Sequence, residues 1–88
     1  MNANANKNQS TTNFYLAAFL LAKGLDIVGI DRSDIKRARF LFSKSPQWNE
    51  LIEAFSFAKD NDPTVLIDAR KFVTAIKNLK EKLYLEKF

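Results

Sequence analysis

Residues 36–44 read Lys36-Arg37-Ala38-Arg39-Phe40-Leu41-Phe42-Ser43-Lys44. The stretch alternates, and it is both aromatic and basic. Successive side chains of a strand point to opposite faces. Ala38, Phe40 and Phe42 therefore share one face, and Arg37, Arg39 and Leu41 share the other. One face can anchor a core while the other presents guanidinium groups. Such a strand needs an antiparallel partner and a helical cover, so the reading is α+β.

The partner precedes it. Leu25–Ile30 reads as a first strand, Ile35–Ser43 as a second, and Asp31-Arg32-Ser33-Asp34 as the turn of a hairpin. A four-residue loop sets Ile30 opposite Ile35, Val28 opposite Arg37 and Asp26 opposite Arg39. The last is an opposite-charge pair, which favours that register. The core face then collects Leu25, Ile27, Gly29, Ala38, Phe40 and Phe42. The outer face carries Val28, Ile30, Ile35 and Leu41 beside the arginines.

Helices flank the hairpin. Thr11, Thr12 and Asn13 are good N-caps. Phe14-Tyr15-Leu16-Ala17-Ala18-Phe19-Leu20-Leu21-Ala22-Lys23 follows as a helix, with Gly24 at the left-handed C-cap position. It is apolar nearly all round and is expected to be central. Ser45-Pro46 starts a second helix. Its stripe is Trp48, Leu51, Ile52 and Phe55, and it ends near Lys59. Thr64–Ile67 reads as a short third edge strand or an extended lead-in. Asp68 caps a last helix over 69–85, with Phe72, Ala75, Ile76, Leu79 and Leu83 buried. Residues 1–10 are Asn-rich and lack a run of large apolar groups, and are expected to be a disordered tail. Residues 11–88 make one domain. The expected order is α-β-β-α-(β)-α, a small antiparallel sheet packed on three helices.

Tyr15 through Gly24, then Arg39-Phe40-Leu41-Phe42, then Phe72 through Lys80 and Leu83-Tyr84 together resemble a small prokaryotic and phage family, domain of unknown function 5659. The likeness covers nearly everything after the Asn-rich tail. These are packing motifs, so the resemblance implies the fold. It brings no activity, cofactor or catalytic residue with it. The association with mobile elements is contextual support for a nucleic-acid or regulatory role.

Composition bounds the chemistry. The 88 residues allow one domain. There is no histidine, which removes the usual general base near neutral pH and the commonest metal ligand. There is no cysteine, so no thiolate chemistry and no disulfide, which fits a reducing cytoplasm. Asp31 with Asp34, and Asp60 with Asp62, are turn residues before they are metal ligands. No Gly-rich phosphate loop exists, and no serine has a plausible base. The reading is a non-enzyme with no cofactor, metal or small-molecule substrate. The apolar run Phe14–Ala22 is shorter than the roughly 20 residues a bilayer span needs. A secretory signal is disfavoured by an n-region holding only Lys7 and by a poor cleavage site at Ala22-Lys23-Gly24.

The formal charge is +4, from fourteen Lys and Arg against ten Asp and Glu. It is uneven. Arg32, Lys36, Arg37, Arg39 and Lys44 crowd the hairpin. In the last helix Arg70, Lys77, Lys80 and Lys87 fall within about 100° of arc, on the side of Val73 and Tyr84. Two binding roles follow. The first is DNA or RNA phosphate contact by Arg37 and Arg39, supported by Arg32 and Lys36 at the turn, with Lys77 and Lys80 as a secondary patch. The second is a homodimer or another protein partner on the apolar outer sheet face of Val28, Ile30, Ile35 and Leu41.

Overall fold

The computed structural model describes residues 8–34 and 36–85. The fold is α+β, with three helices and a three-stranded antiparallel sheet. The elements are β1 (Asn8–Thr11), α1 (Phe14–Ala22), β2 (Ile27–Asp31), β3 (Arg39–Ser43), α2 (Trp48–Phe57) and α3 (Ala69–Leu85). The strand order is β1-β3-β2, so the aromatic strand is central and both its neighbours are edges.

α1 begins where its cap dictates. The Asn13 side-chain oxygen accepts the Leu16 N–H at 3.0 Å. It ends in a Schellman motif. Leu25 N–H donates to the Leu20 carbonyl and Gly24 N–H to the Leu21 carbonyl, with Gly24 at φ 103°. An L side chain is strained at that φ, which is why the position holds glycine. Leu16, Ala17, Ala18, Phe19 and Leu20 are all buried. Five consecutive buried residues leave α1 no solvent face over that span, as its continuous apolar run requires. The sheet packs on it through Phe14 and Phe40, whose rings stand 6.0 Å apart. α2 packs through Phe19 and Phe55 at 5.2 Å, and Trp48 closes on Phe42 at 5.7 Å. α3 brings Ala75 and Leu79 to the same cluster. Its N-terminus is held by Asp68, which accepts the Arg70 and Lys71 N–H groups.

Four sequence expectations are corrected. First, residues 8–10 are not tail. Asn8–Thr11 pairs with β3, Asn8 opposite Ser43 and Thr11 opposite Phe40. Backbone pairing needs no apolar side chain, so a polar segment can complete a sheet whose core face is supplied by its neighbour. The Gln9 side chain also accepts the Ser45 N–H at 3.1 Å. Residues 1–7 lie outside the described residues. Second, Thr64–Ile67 is turn and irregular chain, not a strand. Val65 and Ile67 still pack on the core, which accounts for their apolar pattern. The element order is therefore β-α-β-β-α-α. Third, α2 begins at Trp48 and ends at Phe57, rather than reaching from Pro46 to Lys59.

Fourth, the hairpin register differs. Ile27 pairs with Phe42, Gly29 with Leu41, Ile30 with Phe40 and Asp31 with Arg39. β2 ends at Asp31 and β3 begins at Arg39, so the connection is longer than a four-residue turn. A bulge between Ile27 and Gly29 makes Val28 the extra residue. Ile27 and Ile30 can then both lie on the core side, despite an odd spacing that strict alternation forbids. The gain is burial, because each phenylalanine of β3 receives an isoleucine opposite it. Ile30 is accordingly packed against the core and is not an outer-face residue. Asp26 is not opposite Arg39; its carbonyl instead accepts the Ser43 N–H.

Candidate functional site

The basic residues expected to act together are distributed over three places. Arg39 opens β3 and is exposed, while Phe40 and Phe42 next to it are 2% and 0% exposed. The helices pack on the phenylalanine face, so Arg39 and Leu41 stand on the face they leave open. One Arg39 guanidinium nitrogen lies 3.4 Å from the Ser10 hydroxyl of β1. Lys36 and Arg37 are exposed in the loop. Neither has a side-chain hydrogen bond or ion pair among the described residues. Lys77 and Lys80 are exposed on α3, a different element from the hairpin.

Arg32 is not with them. Its guanidinium donates to the Leu83 carbonyl in the last turn of α3. Its Nε is buried and has no partner among the described residues. The last carbonyls of a helix lack intrahelical donors and carry partial negative charge, so a guanidinium there acts as a cap. Sequence reading places Arg32 in the turn with the phosphate-facing group. The contact that takes it away spans 51 positions and leaves no local signal.

Two aspartates shape the loop. Asp31 accepts the Ser33 N–H at 2.8 Å and also the Ser33 hydroxyl. Asp34 accepts the Lys36 N–H at 2.9 Å, and its carbonyl accepts the Arg37 N–H at 3.2 Å. Both are Asx-type turns, as their residue type predicts. The Ser33 hydroxyl, then the Ser33 N–H, hold the Asp31 carboxyl below its ordinary pKa, and the Arg39 charge adds to this. Thr12, Asp31, Ser33, Asp34, Arg37 and Arg39 line a hollow of about 30 Å³. Two carboxylates face two guanidinium groups there, so the hollow itself is near neutral. The surplus positive charge of the loop comes from Lys36, which is exposed and does not line the hollow. Among the described residues no group of three or more acidic side chains is arranged to hold a metal ion.

The apolar outer face is smaller than the alternation predicts. Val28 is 53% exposed at the bulge and Leu41 is half-buried on β3. Ile30 faces the core, and Ile35 lies outside the described residues. Phe57, the last residue of α2, is 83% exposed. Among the described residues, no helix is long and apolar enough to cross a membrane.

These features define a small α+β domain with one open sheet face and a cationic loop at its end. The chain belongs to the family described as domain of unknown function DUF5659, whose model matches residues 6–85. The match begins ahead of α1 and so takes in β1. No curated protein matches the chain, and no solved structure does.

Proposed function

We propose that this domain is a non-catalytic binding module that contacts nucleic-acid phosphates through Lys36, Arg37 and Arg39. The observation that carries this reading is the exposure of these three cationic side chains at the end of the sheet. Arginine suits bidentate phosphate contact, and a loop at a sheet end can approach a duplex backbone without clash. Phe40 and Phe42 are buried, so stacking on bases is not part of the contact. Affinity should therefore be mainly electrostatic and tolerant of sequence. Arg32 supports the loop from behind and does not touch the ligand. Lys77 and Lys80 add attraction from α3 as a second strip. The inward turn of Ile30 favours this reading over an apolar sheet interface, which among the described residues retains only Val28 and part of Leu41.

The test is a fluorescence-anisotropy titration of mixed-sequence DNA, duplex and single strand, at low and physiological salt. Binding at low salt should fall as salt rises, and Arg37→Ala with Arg39→Ala should lower the log–log slope by about two phosphate contacts. Absence of binding at low salt would overturn the reading, because the electrostatic term is strongest there.

A further inference from the structure

Two surfaces away from the hairpin complement each other. The first is a knob. Phe57, in the last turn of α2, is 83% exposed, more than any other large apolar residue among those described. Together with Glu50, Glu53, Ala54, Ala58 and Thr64 it lines an open hollow. Glu50 and Glu53 stand one turn apart on the same side of α2, so the ring emerges beside an acidic collar. Neither glutamate has an ion-pair partner among the described residues.

The second surface is a groove of about 370 Å³ between the end of α1 and the first half of α3. Leu21, Ala22 and Ala75 give it an apolar floor, and Arg70, Lys71, Thr74 and Asn78 complete the lining. Both cations are exposed, and neither side chain is paired among the described residues. The nearest carboxylate in sequence, Asp68, is occupied by the backbone N–H groups of these same two residues. An apolar groove under two free cations suits an apolar group that carries negative charge beside it.

We propose that the α1–α3 groove receives Phe57 of a second copy of this chain, with Glu50 and Glu53 of that copy set against Arg70 and Lys71. The occupant is identified by charge and shape together: ring to apolar lining, two carboxylates to two cations. The contact joins different patches of the two copies: reciprocated about a two-fold axis it closes a dimer, and unreciprocated it is heterologous and open. One aromatic anchor with two rim charge pairs falls well short of the ~1,200 Å² of a standard interface, so association is weak and rapidly reversible. Neither surface uses Lys36, Arg37 or Arg39, but Arg70 shares a side of α3 with Lys77 and Lys80, so the contact is tested without nucleic acid. Both together would let neighbouring copies touch along one nucleic-acid strand.

The experiment is sedimentation velocity of the full chain, without nucleic acid, up to about 1 mM protein. The weight-average sedimentation coefficient should rise with concentration. Phe57→Ser should abolish the rise, and circular dichroism should show an unchanged fold because the ring is exposed. Glu50→Lys with Glu53→Lys should abolish it, as should Arg70→Glu with Lys71→Glu. An equimolar mixture of those two charge-reversed chains should restore it, since each again meets opposite charge. A coefficient independent of concentration in the parent chain overturns the proposal. So does a rise that survives Phe57→Ser, or a mixture that fails to restore association.

Discussion

The guanidinium of Arg32 donates to the carbonyl of Leu83, tying the β2–β3 loop to the last turn of α3. The contact joins the only hairpin of the described fold to its longest helix. It also withdraws one arginine from the cationic loop. A hydrogen bond from a charged donor to a helix carbonyl is worth about 1.5–3 kcal/mol. Arg32→Ala should therefore lower stability by about 1–2 kcal/mol once water reaches the freed carbonyl. Urea unfolding would measure this. Arg32→Ala should leave the salt slope of DNA binding unchanged, in contrast to Arg37→Ala.

β1 makes a second prediction. A disordered tail can be removed at no cost, whereas an edge strand cannot. Deleting residues 1–11 removes every β1 pairing with β3 and takes away the Gln9 acceptor of the Ser45 N–H. The truncated chain should show a lower urea midpoint than a chain lacking only residues 1–7. Equal midpoints would mean that β1 adds nothing to the fold.

Phe42 tests the core. It is fully buried, it faces Ile27 across the sheet, and its ring meets that of Trp48. Phe42→Ala should cost about 3–5 kcal/mol, enough to unfold much of the population of a domain this small. Leu41→Ala, one residue away on the half-buried face, should cost far less. The contrast, read by thermal melts, checks which face of β3 carries the core.

The loop carboxylate gives a pH prediction. The Asp31 pKa is depressed in the folded chain, first by the Ser33 hydroxyl and then by the Ser33 N–H. A depressed carboxyl stabilises the fold above its unfolded pKa of 3.8, and that contribution drains away as pH falls through the folded value. Ser33→Ala should raise the Asp31 pKa toward 3.8 in a carbon-detected NMR titration. Asp62, lowered by Thr64 in the same manner, should not respond. Above about pH 5 both carboxylates are ionised and the variant's deficit should be flat with pH.

Where an element is held by its own residues, the sequence reading and the fold agree. α3 spans Ala69–Leu85 with Asp68 as its cap, and α1 runs from its Asn13 cap to Gly24. These signals act within four or five residues, so they can be read directly. The inward direction of Phe40 and Phe42, and the turn roles of Asp31 and Asp34, are equally local. The hairpin register was not legible in this way. Charge pairing favoured Asp26 opposite Arg39, but a bulge at Val28 let two isoleucines cover two phenylalanines, and burying apolar area outweighs one exposed ion pair.

Local signals in the chain suffice for an α+β domain, for α1 and α3 with their caps, for the aromatic core face of β3, and for a cationic hairpin. It takes the folded chain to show that Asn8–Thr11 completes the sheet, that Ile30 turns inward, that Arg32 caps α3, and that Phe57 stands in solvent. The division has one physical cause. Caps, turns and amphipathic stripes are fixed by neighbours in the chain. Strand partners, bulges and capping contacts across 51 residues are fixed by which surfaces meet after collapse, and a polar strand or a lone arginine carries no local mark of its partner.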